Sequence, residues 1–240
     1  MEIASNPEAY VRYLELQGDN PHYSPGNIAL AMFQNPEVTQ FGTREKWKAL
    51  GRSIKDSEAG KGYVLAPAYD ISQTYGREVK SVKLENGSTE MEKALTTVLN
   101  YSVVPVVIDA GLDCPAYYDA EKMELAVHPE YPDNEAFAAI AAEVAHSRLH
   151  AKGVNSYYTR AECDLDAQSI SCILCRRFGV ERSIPDLSHL SELYSGWAVP
   201  EVRQALDSVQ DMSKKMVNSI ERNISPPEHT RGNPVKRPER

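Results

Sequence analysis

The stretch from 199 to 223, VPEVRQALDSVQDMSKKMVNSIERN, most limits how this chain can fold. Val202, Leu206, Val209, Met212, Met216 and Ile220 recur at intervals of three and four, the spacing that puts side chains on one face of an α-helix. A long helix with one apolar face needs other elements to cover that face. Candidates stand upstream. Residues 1 to 20 read as a helix with Tyr10, Val11, Leu14 and Leu16 on its apolar side. YSPGNIALAMFQNP predicts a second, capped by Ser24, with Pro25 in its first turn and Asn35-Pro36 as its stop. TREKWKALG predicts a third, capped by Thr43 and ended by Gly51, with Trp47 and Leu50 facing inward.

The extended run GYVLAPAYDISQTYG, split by Pro67, reads as one or two strands, and the polar residues 76 to 88 as a loop at a domain boundary. Ser88 opens a helix carrying Met91, Leu95 and Val98, and VPVVIDA follows as a short buried strand. AYYDAEKMELAVHPE reads as a hairpin turning at Asp119-Ala120-Glu121-Lys122. Asn134 then opens a helix ending at His150, and a further helix closes at Gly179. After Ile224 the proline-rich segment SPPEHTRGNPVKRPER has little to bury and reads as disordered. The expectation is an α+β chain in two units, residues 1–86 and 87–225, with a tail over 226–240.

Of the 240 residues 42% are hydrophobic and 25% charged, an ordinary globular balance. No run approaches the ~18 apolar residues of a membrane span. The first twenty residues have neither the basic nor the apolar region of a secretory signal, so a cytoplasmic location is expected. Four cysteines, Cys114, Cys163, Cys172 and Cys175, fit that compartment. The C-x-x-C pair lies inside a helix rather than opening one, which favours buried thiols over a redox or zinc motif.

Net charge is −8, against a chain coated for nucleic acid, but residues 43 to 62 hold six basic and three acidic residues and leave −11 on the rest. Arg44, Lys46, Lys48, Arg52, Lys55 and Lys61 are therefore candidate phosphate contacts, with Trp47 and Tyr63 as candidate stacking platforms. Core packing is the competing role for Trp47, and a solvated helix face the competing role for the island.

The stretch with the most chemistry is AAEVAHSRLH, residues 141 to 150. The zinc-peptidase pattern H-E-x-x-H works because residues four apart lie about 40° apart on a helix, so two imidazoles converge on one ion. The glutamate between them serves as general base toward metal-bound water. Here Glu143 and His146 stand in place, and Ala142 occupies the first histidine position.

Several stretches together resemble the ArdC-type anti-restriction family: NIALAMFQNPEVTQFGTREKWKALGRSIKDSEAGKGYVLAP, YDISQTYG, IAAEVAHSRLH, DLDAQSISCILCRRFGV and LYSGWA. The resemblance covers most of residues 22 to 223. It implies an N-terminal single-stranded-DNA-binding domain and a C-terminal zincin-like metallopeptidase domain related to the ImmA/IrrE group. Zinc would be the cofactor, Glu143 the catalytic base, and His146 and Asp166 the surviving ligand positions. A peptide would lie along a sheet edge beside the site.

The chain departs from the family at Ala142, at Asp166 in place of a glutamate, at DSEAGKG, and at Ala68, which alone joins two segments that the family separates by a β-rich insertion. The departures favour a non-catalytic protein that binds protein or single-stranded DNA in a conjugative-element or phage setting, with zinc weak or absent. The alternative is an active peptidase using a displaced ligand set of Glu143, His146, His150 and Asp166, with Asp164 or Glu162 adding an oxygen. His128 and His189 read as surface or capping residues, and Tyr157 and Tyr158 as oxyanion donors or packing. No membrane partner is expected.

Overall fold

Short polar side chains start most of the helices. In the computed structural model, which describes residues 2–63, 67–151 and 158–224, Asn6 accepts a bond from the Ala9 amide to open α1 (Pro7–Asp19). Ser24 opens α2 (Pro25–Gln34), with Pro25 in the first turn as its fixed φ suits. β1 (Phe41–Thr43) runs into α3 (Arg44–Ala49), capped by Thr43, and β2 (Arg52–Ile54) follows. β3 (Ala68–Asp70) and β4 (Thr74–Gly76) flank a single 3-10 turn. Ser88 caps α4 (Thr89–Leu99). β5 (Val106–Ile108), β6 (Ala116–Asp119) and β7 (Glu124–Val127) lead into α5 (Asp133–Ala151). Thr159 caps α6 (Arg160–Phe178), which Gly179 ends in the left-handed conformation at φ 63°. α7 (Leu190–Leu193), a short helix the sequence reading lacks, and α8 (Val199–Ile224) complete the described chain.

The fold is α+β, and the described residues form three small sheets. β1 pairs with β3 and β2 with β4, both antiparallel. The third sheet has the order β5-β7-β6, with β6 and β7 the expected hairpin and β5 parallel to β7. α5 lies across β6 and β7 and packs along α6, while α6 packs on α1 and α8. The apolar stripe of α8 is buried at all six positions read from the sequence. At ~1.5–3 kcal/mol for each large apolar side chain taken from water, that face anchors the helical layer.

One cluster of buried residues runs from Ile3 to Ile224 and takes in α1, α2, α4, α5, α6 and α8. The contacts of α1 with α6 and of α2 with α8 cross the chain position near 86 where the sequence suggests a boundary. Tyr10 Oη and Ser169 Oγ share a buried hydrogen bond of 2.8 Å, and Gln210 Nε2 donates to the Pro21 carbonyl at 2.9 Å. A second, smaller cluster of Trp47, Ile54 and Tyr69 sits under the β2–β4 ribbon.

Two expectations are corrected. Leu50 is 40% exposed, because it follows the last turn of α3 and lies beyond the core that Trp47 enters. VPVVIDA forms an edge strand rather than a buried one: Ile108 is 70% exposed and Val106 is also open. Among the described residues the sheet has three strands, and β5 is the edge that lies past the cover that α5 gives to β6 and β7. The expected tail, 226–240, and residues 64–66 of the VLAP run lie outside the described residues.

Candidate active site

Glu143 is on the buried side of α5, 5% exposed, and its carboxylate has three donors. The Tyr118 amide of β6 reaches Oε2 at 2.8 Å, Arg160 Nη1 reaches the same oxygen at 3.0 Å, and Arg160 Nη2 bonds Oε1. Arg160 comes from the first turn of α6 and its guanidinium lies over the Tyr117 ring, 4.9 Å from the centroid. A two-pronged arginine on a buried carboxylate both neutralises it and fixes its plane. The position where the motif places a general base therefore holds an ion pair that ties α5, α6 and β6 together.

His146, one turn further along α5, is fully buried. Burial pushes the Tyr158 phenol up to about 12, and its hydroxyl shares a 3.0 Å hydrogen bond with His146 Nδ1. His146 Nε2 faces Asp164 Oδ1 at 3.3 Å. The His146 hydrogen bond is the main reason the Asp164 carboxyl is held below its usual range. His150 stacks on Tyr158, with centroids 4.5 Å apart, and its Nδ1 bonds Tyr118 Oη at 2.6 Å. Both histidines are thus members of a tyrosine-histidine cluster.

Asp164 and Asp166 are two residues apart, or about 200° around a helix, so one site cannot take both. Asp164 faces His146. Asp166 acts on the other side: burial first, and the Asp166 carboxylate after it, pushes the Tyr194 phenol up to about 12. The structure brings together Glu143, His146, His150, Tyr118, Tyr158, Arg160 and Asp164, and does not bring Asp166 to them. Sequence reasoning missed Arg160, although a basic residue in the first turn of a helix, where the dipole favours acidic ones, was a signal.

A catalytic zinc wants three protein ligands converging at about 2.0–2.2 Å. Ala142 has no donor atom, both ring nitrogens of His146 are engaged, and a guanidinium already neutralises Glu143. Among the described residues no three His, Cys, Asp or Glu side chains are grouped to hold a metal ion. These residues do not fit zinc, in the family set or in the displaced one. Tyr157 lies outside the described residues.

Elsewhere, burial pushes the Cys175 thiol up to about 12, as expected for a core cysteine, and the other three cysteines are half-buried. His128 packs edge-on against Tyr131, and His189 pairs with Glu192 at 3.1 Å.

Of the six basic candidates, several are already engaged. Lys46 Nζ donates to the Phe41 carbonyl at 2.9 Å between the Tyr23 and Trp47 rings. Arg52 bonds Thr74 Oγ1 at 2.7 Å and the Arg77 carbonyl at 2.5 Å. Lys61 pairs with Glu58, and Arg44 lies over the Tyr69 ring. Lys48 and Lys55 are exposed. Trp47 is a core residue, 1% exposed, donating to the Tyr69 carbonyl at 2.8 Å, and Tyr63 accepts from Asn35 Nδ2 at 2.8 Å.

The fold and site define an α+β protein in which a buried helix glutamate is locked by an arginine. No family model matches the chain. It is 20% identical over 211 residues to an uncharacterized Bacillus anthracis protein, covering 78% of this chain and 36% of that protein; the chain thus spans about a third of this relative's length. Two crystal structures of the antirestriction protein ArdC from the R388 plasmid are also similar. The metal-free one aligns at a TM-score of 0.48 and 14% identity over 84% of this chain and 85% of that one. The Mn(II)-bound one aligns at 0.44 and 16% over 92% and 96%.

Proposed function

We propose that this chain is an ArdC-type anti-restriction protein whose zincin-like half, residues 87–225, has become non-catalytic, and which acts by binding single-stranded DNA through its first 86 residues. The motifs quoted above support the family. The Glu143–Arg160 pair carries the non-catalytic reading, because a base must be free to take a proton and this carboxylate is committed to two N–H groups of a guanidinium. The same pair bears on the partner. The Tyr118 amide, a donor on the edge strand β6, is taken by Glu143, so a peptide added along that edge finds one backbone donor fewer. DNA is the better supported partner. A cytoplasmic location belongs to this reading, and no described helix is long and apolar enough to cross a membrane.

The test is metal stoichiometry after equilibration with zinc and gel filtration. The chain should retain no stoichiometric zinc, and Ala142→His alone should not change this while Arg160 remains. Ala142→His combined with Arg160→Gln should retain one zinc per chain, since the new imidazole, His146 and Asp164 then supply three donors. One tightly held zinc on the unaltered chain overturns the proposal.

A further inference from the structure

The β2–β4 ribbon has two faces of opposite character. Ile54 and Thr74 form a cross-strand pair that is buried toward the Trp47 cluster. Strand alternation therefore turns the neighbouring pair, Ser53 and Tyr75, outward. Tyr75 is 59% exposed, and among the described residues nothing stacks on its ring or bonds its hydroxyl. Arg77 stands two residues along from Tyr75, and Lys55 two residues along from Ser53, both exposed. Lys55 Nζ donates once, to the Ser72 carbonyl at 2.7 Å, and keeps two further N–H groups; the Arg77 guanidinium has no ion pair among the described residues.

The platform is rigid. Arg52 bonds Thr74 and the Arg77 carbonyl, and the Arg77 amide donates to the Gly51 carbonyl at 3.2 Å. Gly76, at φ 133°, leaves no room for a side chain, since a Cβ there would lie 2.4 Å from the Gly51 oxygen. Residues 48–55 and 75–83 together hold six basic residues and one acidic, in a chain of net charge −8.

We infer that this face, with Tyr75 as the stacking residue and Arg77 and Lys55 as phosphate contacts, is where single-stranded DNA binds; the inference rests on the DNA-binding reading above. An exposed ring with one cation just past the end of each strand suits one unstacked base and its neighbouring phosphates. Only a single strand offers a base face, and a purely acidic peptide would leave the ring unused.

The experiment is fluorescence anisotropy of labelled dT20 with the full chain at low salt. Tyr75→Ala should weaken binding roughly 5- to 150-fold, the range for losing one base–aromatic stack, and Tyr75→Phe should retain it. Arg77→Gln and Lys55→Gln should each reduce the slope of log K against log salt by about 0.7. Thermal melts of these exposed-residue variants should match the parent. Absence of dT20 binding by the unaltered chain overturns both the DNA reading and this surface. Binding indifferent to Tyr75→Ala but lost on Arg44→Glu with Lys48→Glu places DNA on α3 and overturns the surface alone. Duplex bound as tightly as dT20 removes the stacking role, and tighter binding of rU20 makes RNA the occupant instead.

Discussion

The α5–α6 site and the β2–β4 ribbon use the same kinds of residue in opposite ways. At the first, Arg160 is turned inward onto a buried carboxylate, Tyr158 and Asp164 engage both ring nitrogens of His146, and Tyr118 holds His150 Nδ1. At the second, Arg52 takes the inward, structural role, and that frees Arg77, Lys55 and Tyr75 to face solvent. Capability in a sequence motif is thus distinct from availability in the fold. A buried charge must be paired, and pairing removes it from chemistry; an exposed cation on a fixed backbone stays free to bind.

The largest effect is expected at Trp47. Replacing it with alanine empties the small cluster and loses the bond to the Tyr69 carbonyl, at an expected cost of about 3–5 kcal/mol. The loss should fall on the ribbon half, so hydrogen exchange should accelerate in residues 41–76 and much less in α5, α6 and α8. Equal acceleration everywhere would mean that the two regions unfold as one.

Arg160→Met comes next. It strands Glu143 and should destabilise the chain in urea by about 3 kcal/mol, the lower end for unpairing a buried charge because Arg160 is itself partly exposed. Adding Glu143→Gln should recover much of that loss. A single variant as stable as the parent would remove the lock.

A smaller effect is expected from pH. The Cys175 thiol is raised to about 12 by burial, from an ordinary value near 9. The folded chain therefore keeps a proton that the unfolded chain gives up. Stability from this group is complete below pH 9 and falls as pH rises toward 12, by at most about 1.4 kcal/mol per unit. Urea midpoints across that window should fall less steeply in Cys175→Ala, and disulfide reagents should leave Cys175 unmodified in the folded chain at pH 8. Leu50→Lys should have the smallest effect, within about 0.5 kcal/mol, since the side chain is already in solvent. A loss of 2 kcal/mol there would restore it to the core.

How much of this could be read in advance depended on the range of the signal. Helix starts at Ser24, Thr43 and Ser88 and the stop at Gly179 were legible because cap and first turn are adjacent in the chain. The α8 stripe was legible because periodicity needs no partner. The edge position of β5 was not, since a short apolar run reads alike for buried and outermost strands. Nor was the Glu143–Arg160 pair, which joins residues 17 apart in sequence on two different helices. Helix phase separates Asp164 from Asp166, yet only the packing of α6 decides which of them meets His146. In YDISQTYG the recognisable letters are structural: Asp70 and Gln73 form a reciprocal cap, and Gln73 Nε2 also holds the Lys61 carbonyl at 3.1 Å.

The docking of α1 against α6 also has a consequence in time. Tyr10 meets Ser169, 159 residues later, and Pro21 meets Gln210 after 189. At ~5–20 residues per second, a nascent chain carries the apolar face of α1 without its partner for roughly 8 to 30 s. α1 is made well before α6 and buried late, so docking of this helix waits until α6 has been synthesised. In that interval the face bearing Tyr10, Tyr13 and Leu16 is the surface a chaperone would hold.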